Sequence, residues 1–214
     1  MVDLIDPRKS ISDRLGISDY LSIIEKVNQA KQKSSKEEVV AYLDKDFREM
    51  YCRYFKLMRL QNDDRDAYFE VFADLIWESS SKNFKLELFE LSKVLGRLYA
   101  RMARTKNSRE KTKIQYSFAT KMMACIDTSL PIWDSIVAHQ TKINLNPGRA
   151  NAADNFEGAV KRYHQLNDCI RDIELSDQMG EILKTFNALL GVERSQEISD
   201  FKKIDFCIWW NREK

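Results

Sequence analysis

The sequence predicts an all-α protein, and two observations carry this prediction. Proline and glycine are scarce, with three prolines and six glycines in 214 residues. Nearly every apolar pattern repeats with the period of a helix and does not alternate as a strand does. A chain of this length is long enough to bury a hydrophobic core, either as one domain or as two small subdomains. We therefore expect a multi-helix globular protein.

The helices are predicted in order from their start signals and apolar faces. Ser18 and Asp19 open the first apolar pattern, and Ser35 with Glu38 forms a capping box in front of a long helix. A polar connector at 106–116 and a loop rich in Asn, Pro and Gly at 144–155 separate later helices, and Gly191 is placed to end one of them. After the first pattern, the predicted helices cover 36–60, 64–79, 83–105, 118–127, 133–142, 156–174, 178–190 and 197–211.

Composition excludes several classes of protein. No stretch approaches the roughly 18 unbroken apolar residues that span a bilayer, and the N-terminal MVDLIDPRKS lacks the basic and apolar regions of a signal peptide. The four cysteines are far apart and have no zinc-binding spacing, so we expect buried, reduced thiols. The sequence thus predicts a cytoplasmic monomer with no membrane partner, no cofactor and no metal.

Basic residues are concentrated in one segment. Between Lys93 and Lys121, nine lysines and arginines face only Glu110, a net charge of +8, so the rest of the +2 chain carries −6. A local positive field on an otherwise acidic protein is typical of a phosphate-binding surface. The other interpretation is a solvated helix face followed by a flexible basic loop. The candidate phosphate-binding side chains are Arg97, Arg101, Arg104, Lys106, Arg109, Lys111 and Lys113.

The stretch SFATKMMACIDTSLPIWDS (117–135) places an amine and a carboxylate at the starts of two successive short helices. If Ser117 caps the first helix, Lys121 lies in its first turn, where burial and the helix dipole favour the neutral, nucleophilic amine. That helix rises about 9 Å to Asp127, and the connector after it spans up to about 20 Å, so Asp134 can return close to Lys121. The simpler interpretation is a lysine that reaches solvent and an Asp134 or Ser135 that caps the next helix.

Two strings in this region resemble the helix–hairpin–helix DNA glycosylases, in particular the 8-oxoguanine DNA glycosylases and their prokaryotic relatives. These strings are ATKMMACI (119–126) and PIWDSIVA (131–138), and KKIDFCIWW (202–210) looks like the closing helix of the family. On this match Thr120 and Lys121 fall on the position of the catalytic lysine, and Asp134 falls on that of the catalytic aspartate. The resemblance covers about 105–210. The glycine-containing hairpin of the family is replaced by IQYSFA (114–119), so the hairpin is degenerate, and phosphate contacts would come from the helix N-terminus with Thr120 and from basic side chains.

The resemblance implies two helical subdomains, an N-terminal part over 1–105 that is basic at its end and a glycosylase-like part over 106–214. It implies a DNA glycosylase with AP-lyase activity that acts on double-stranded DNA. Lys121 would displace a damaged or modified base and form a Schiff base with the sugar, while Asp134 stabilises the developing positive charge. Candidates for stacking on the extruded base are Trp133, Trp209 and Trp210.

Two other functions stay open from the sequence. The main alternative is a non-catalytic all-α module that binds nucleic acid or protein through the same basic face. The third is a helical ribonuclease-type toxin, for which no arginine and histidine pair has a recognisable spacing.

Overall fold

The computed structural model describes residues 14–57, 60, 62–80, 86–102, 104, 116–145 and 152–210. Within these residues every regular element is a helix and none is a strand, so the predicted all-α class is confirmed. The chain divides into two compact units. The N-terminal unit comprises Gly16–Asp127, and the C-terminal unit is built on the chain from Thr128 onward.

Up to Asp127, the described chain forms the helices of the N-terminal half in close succession. They are α1 Arg14–Ala30, α2 Lys36–Tyr42, α3 Lys45–Tyr54, α4 Asn62–Ser79, α5 Leu91–Met102 with a 3₁₀ turn at Leu88–Glu90 before it, and α6 Tyr116–Ile126.

The predicted start of α2 is confirmed, whereas the prediction of one long helix over 36–60 is wrong. The Glu38 backbone N–H donates to the Ser35 hydroxyl at 3.2 Å, which caps α2. The helix ends at Tyr42, and the Asp44 carboxylate then accepts the Phe47 N–H at 2.8 Å as the N-cap of α3. Buried Val39 and Phe47 keep helical spacing across this break, so the apolar period alone cannot reveal it.

Helix α4 is the centre of the N-terminal unit and packs against α2, α5 and α6. Its buried rings meet those of α3: the Tyr51 and Phe72 centroids are 5.2 Å apart, and the Phe47 and Phe69 centroids are 6.3 Å apart. Buried aromatic side chains contribute large apolar areas to a core. This aromatic core therefore supports the two helices that carry the predicted site residues of the unit, α5 and α6.

The chain from Thr128 onward forms α7 Ser135–Thr141, α8 Ala152–Glu174, α9 Gln178–Leu190, α10 Val192–Gln196 and α11 Asp200–Trp210. Helix α11 is the centre of the C-terminal unit, since α7, α8 and α9 all pack against it. Gly191 ends α9 with a φ of 80°, a left-handed conformation that favours glycine, and this predicted end is confirmed. The short helix α10 was not among the predicted helices.

Two further findings bear on the composition of the chain. No helix among the described residues has the length and apolarity that a membrane crossing requires. The four cysteines are free thiols: Cys52, Cys125 and Cys207 are buried, and Cys169 is half-buried.

The domain boundary predicted at 105/106 rests on composition and resemblance, whereas the compact units divide at 127/128, and the predicted boundary stays a prediction.

Candidate functional site

Lys121 lies in the second turn of α6, because this helix begins at Tyr116 and not after Ser117 as predicted. Apolar residues surround α6 on nearly all sides, and a helix of this composition is buried. The Lys121 side chain is only 4% exposed. Its Nζ donates a hydrogen bond to the Phe55 carbonyl oxygen at 3.1 Å and lies 6.0 Å from the centroid of the Phe55 ring.

The acceptor of the Lys121 hydrogen bond is at the end of another helix. Phe55 is the C-cap residue of α3, so its carbonyl belongs to the last turn, where carbonyl oxygens have no partner inside the helix and the helix dipole is negative. The Lys121 amine therefore caps α3 from a different part of the chain. Beside it, Thr120 is fully buried and donates to the Ser117 carbonyl of its own helix at 3.3 Å.

Asp134 is the N-cap of α7, as the simpler interpretation of the sequence predicted. Its Oδ1 accepts the backbone N–H groups of Ile136 at 2.9 Å and Val137 at 3.2 Å. Its other oxygen, Oδ2, accepts the indole N–H of Trp209 at 2.6 Å. The half-buried carboxylate is thus held on both oxygens, by the start of α7 and by α11.

Three backbone groups shortly before Asp134 are held by buried side chains of α8 and α11. The Lys202 Nζ donates to the Leu130 carbonyl at 3.0 Å, and the Tyr163 hydroxyl donates to the Pro131 carbonyl at 2.6 Å. The Ile132 N–H donates to both carboxylate oxygens of Asp205, at 3.2 and 3.3 Å. These contacts leave the segment that leads to Asp134 little conformational freedom.

Lys202 and Asp205 also bond to each other, with the Lys202 Nζ 2.6 Å from Asp205 Oδ2 and both side chains 1% exposed. Burial raises the pKa of the Asp205 carboxyl above its ordinary value of 3.8, although the Lys202 ammonium and the Ile132 N–H act in the opposite direction. Sequence reasoning missed this pair. The signal was the spacing of three between a lysine and an aspartate inside the apolar run of α11.

Two of the three tryptophans proposed to stack on a base are buried. Trp133 is 8% exposed and donates its indole N–H to the Ile143 carbonyl at 2.9 Å. Trp209 is 2% exposed and belongs to the core, in addition to its hydrogen bond to Asp134. The side chain of Trp210 lies outside the described residues. Stacking on a base would require Trp133 or Trp209 to become exposed, and that role stays a prediction.

The basic residues of α5 form one line, which we call the basic stripe: Lys93, Arg97, Arg101 and Arg104, the last in the turn that follows the helix. Lys93, Arg97 and Arg104 are exposed, and Arg101 is half-buried. The opposite face of α5 is buried through Leu91, Val94, Leu95, Leu98 and Met102. The remaining predicted phosphate-binding residues, Lys106, Arg109, Lys111 and Lys113, lie outside the described residues.

Each described residue of the stripe up to Arg101 has a carboxylate partner. The Arg97 Nη1 is 2.7 Å and 2.8 Å from the two oxygens of Glu78, and the Arg101 Nε is 3.2 Å from Glu70 Oε2. The Lys93 Nζ is 2.7 Å from Glu90 Oε1. Two of these three glutamates, Glu70 and Glu78, belong to α4.

The two halves of the predicted catalytic pair belong to different units, Lys121 to the N-terminal unit and Asp134 to the C-terminal unit. The pair therefore stays a prediction, and the observed neighbours of each residue are those inside its own unit. Among the described residues, no group of three or more His, Cys, Asp or Glu side chains is arranged to hold a metal ion. Comparison of the chain with protein-family models, with characterised protein sequences and with solved structures found no match.

Proposed function

We propose that this chain is an all-α nucleic-acid-binding protein whose contact surface is the basic stripe and the basic segment that follows it, with double-stranded DNA as the partner. The single observation that carries the proposal is the arrangement of Lys93, Arg97 and Arg101 at intervals of four residues on the exposed side of α5. Such spacing repeats about every 6 Å along a helix. The sequence then continues with more lysines and arginines, so the excess of positive charge continues along the sequence.

A positive line of this kind binds phosphates without reading sequence. Arginine suits this role because its planar guanidinium offers several N–H donors to phosphate oxygens. The rest of the chain is net acidic and would repel a polyanion, so the duplex would approach the stripe and not the other surfaces.

The test is the dependence of duplex binding on salt. The logarithm of the association constant should fall with the logarithm of salt concentration by about 0.9 per phosphate contact. Reversing Arg101 and Arg104 to glutamate should weaken binding equally for any sequence. Reversing Lys161 and Lys184, two exposed lysines of the C-terminal unit, makes the same formal change and serves as the control for net charge. If the association constant does not change with salt concentration, or is unchanged by the two arginine reversals, the basic stripe is not the surface that binds DNA.

A second candidate function is the DNA glycosylase that the resemblance implies, and the geometry of Asp134 favours it. A carboxylate held on both oxygens is a preorganised negative charge, which is what stabilises a cationic sugar in a transition state. The contact of Lys121 does not favour the glycosylase, because the Lys121 Nζ would first have to break its hydrogen bond to the Phe55 carbonyl before it could attack the sugar. We therefore rank the non-catalytic function above the glycosylase.

The two functions differ in covalent chemistry. In the glycosylase with lyase activity, a bond forms between Lys121 Nζ and the sugar C1′ as the glycosidic bond breaks. The base leaves with the bonding electrons and takes up a proton, the amine loses one, and ring opening gives an imine. Borohydride reduces such an imine to a stable protein–DNA adduct.

Borohydride trapping should therefore be attempted on oxidised, deaminated, alkylated and abasic duplexes. An adduct that disappears in Lys121→Gln, with duplex binding retained, would establish the glycosylase–lyase. Base excision that falls by orders of magnitude in Asp134→Asn would assign the charge-stabilising role to Asp134. If neither an adduct nor base excision occurs on any of these substrates while binding persists, the non-catalytic function stands.

A further inference from the structure

The basic stripe carries its own acidic partners, and this feature bears on how strongly it can bind. Arg97 and Glu78 are 41% and 36% exposed at the side chain, and Arg101 and Glu70 are 37% and 53% exposed. Both ion pairs are thus open to solvent. A polyanion that reaches either arginine therefore meets a glutamate beside it.

The pairs form an ordered ladder between two packed helices. Arg97 on α5 pairs with Glu78 on α4, and the next arginine, Arg101, pairs with the earlier glutamate, Glu70. Arginines and glutamates in this order face each other across an antiparallel contact, and α4 and α5 pack together. Because the helices are held by their buried faces, the glutamates stay next to the stripe whether or not a ligand is bound.

We infer that Glu70 and Glu78 compete with phosphates for Arg97 and Arg101 and thereby limit the affinity of the chain for DNA. This inference rests on the proposed nucleic-acid-binding function. Binding at the stripe is an exchange, in which a guanidinium leaves a carboxylate and takes a phosphate oxygen. Only the difference between two charge-assisted contacts then contributes to affinity, together with the repulsion between the released carboxylate and the phosphate.

The consequence is that the α4 glutamates suppress indiscriminate binding. An unpaired arginine stripe would hold any polyanion, whereas the paired stripe holds a polyanion less tightly. Like charges placed at an interface are a common way to weaken unwanted complexes.

The experiment measures binding of a fluorescein-labelled DNA duplex of arbitrary sequence to the full chain. The variants are Glu70→Gln, Glu78→Gln and their combination. The matched control is Glu181→Gln, which removes the same charge from an exposed ion pair with Lys184 in the C-terminal unit, where the Nζ to Oε1 distance is 3.2 Å. Each α4 substitution should lower Kd by about two- to five-fold relative to the control, the range expected for losing an exposed ion pair. This advantage should shrink as salt rises, because salt screens exposed pairs.

A double-mutant cycle adds a second readout. In an Arg101→Gln background, Glu70→Gln should tighten binding clearly less than in the wild type, since the guanidinium for which Glu70 competes has been removed and only the repulsion between Glu70 and the phosphates remains. The Glu78→Gln effect should persist there, because its partner Arg97 is intact.

The outcomes separate this inference from the function it rests on. If the wild type binds the duplex but Glu181→Gln tightens binding as much as the α4 substitutions do, only net charge matters and the inference is wrong. It is equally wrong if the α4 substitutions leave Kd unchanged. If the folded wild type and all variants fail to bind any duplex, the proposed function itself fails, and the inference fails with it.

Discussion

Each unit of the molecule buries at least one lysine, and the best-buried lysine of each unit has a different kind of partner. In the N-terminal unit, Lys121 is 4% exposed and donates to the Phe55 carbonyl at the end of α3. In the C-terminal unit, Lys202 is fully buried and bonds both to the Leu130 carbonyl and to the carboxylate of Asp205. One amine thus meets a helix terminus, and the other meets a full opposite charge.

In the N-terminal unit, a second lysine also donates to a carbonyl at the end of a helix. The Lys31 Nζ donates to the Ile126 carbonyl, the last residue of α6, at 2.7 Å, and burial lowers the pKa of this amine. Helix ends offer carbonyls that need a donor, so a lysine there costs little rearrangement of the backbone. The C-terminal unit instead must hold a non-helical segment before Asp134, and there an ion pair supplies both a donor for Leu130 and an acceptor for Ile132. The comparison teaches that a buried lysine in an apolar run need not be a reactive amine.

The largest expected effect comes from removing one member of the C-terminal pair. Lys202→Met leaves the buried Asp205 carboxylate without its ammonium, so the free energy of unfolding at neutral pH should fall by about 3 to 5 kcal/mol. The double variant Lys202→Met with Asp205→Asn removes both charges, keeps an oxygen for the Ile132 N–H, and should recover most of this loss. Urea denaturation followed by tryptophan fluorescence and circular dichroism measures both.

The control for this first prediction is Lys184→Met. It breaks the exposed pair with Glu181, so the free energy of unfolding should change by less than about 1 kcal/mol. A Lys202→Met variant as stable as this control would show that Asp205 needs no partner, and the contrast between the units would then disappear.

The second prediction concerns pH and follows from the same pair. Because burial raises the pKa of Asp205 in the folded state above its ordinary value of 3.8, the folded protein holds this proton more tightly than the unfolded chain does. The stabilisation linked to that proton is complete below about pH 3.8 and is lost as pH rises through the folded-state pKa. Each unit of the raised pKa corresponds to about 1.4 kcal/mol. The difference in unfolding free energy between wild type and Asp205→Asn should therefore shift against the wild type as pH rises.

Lys202→Met sharpens this pH dependence. Without the ammonium, burial acts on Asp205 with less opposition, so the loss of stability should be larger and should extend to higher pH than in the wild type. Unfolding curves of the three proteins across the acid range measure the effect. If the unfolding free energies of the wild type and Asp205→Asn change in parallel across the pH range, the Asp205 pKa is not raised.

The sequence predicts those features of this molecule that depend on neighbouring residues. The Ser35 cap, the Gly191 stop and the capping role of Asp134 were all readable, because each depends on one side chain and the next few backbone groups. The break at Leu43 and Asp44 was not read, since the apolar period continues through it. The short helix α10 gave no signal because it spans barely more than one turn.

The contacts of the candidate site residues could not be predicted from the sequence, for a different reason. The apolar run around Lys121 suggested burial, but its acceptor is Phe55, which lies 66 positions away in the chain. The pair of Lys202 and Asp205 was visible at a spacing of three, yet the carbonyl that Lys202 reaches lies 72 positions away. Such partners are set by how helices pack, and a single sequence does not contain that information in local form.

The third prediction tests the amine of the N-terminal unit. Lys121→Met keeps the length of the side chain but leaves the Phe55 carbonyl without this donor, so the free energy of unfolding should fall by about 1 to 3 kcal/mol. The loss should be smaller than that of Lys202→Met, because a carbonyl is a weaker charge than a carboxylate. Lys121→Gln, which can still donate, should lose less than Lys121→Met. If Lys121→Met destabilises more than Lys202→Met, the helix terminus is not the main partner of this amine.

The last prediction concerns Asp134 and has the smallest expected effect on stability. Asp134→Ala removes the acceptor of the Ile136 and Val137 N–H groups, and the loss of such an N-cap costs about 1 kcal/mol. Asp134→Ser and Asp134→Asn both provide a capping oxygen, so each should retain most of that stability, as measured by urea denaturation. In asparagine, an oxygen that keeps the cap leaves an NH2 donor facing the Trp209 indole N–H, and serine and alanine also lack that second acceptor, so Trp209 fluorescence should change in all three variants.

These three variants also separate the two roles that Asp134 has been given. A purely structural aspartate predicts that duplex binding and every other activity follow stability, so the serine and asparagine variants behave like the wild type. A charge-stabilising aspartate predicts that Asp134→Asn stays folded and binds duplex while base excision disappears, because the negative charge has been removed. Asparagine is the decisive substitution, since it keeps the size of the side chain and a capping oxygen while it removes the negative charge, and comparison with Asp134→Ser shows the effect of losing the acceptor for Trp209 alone.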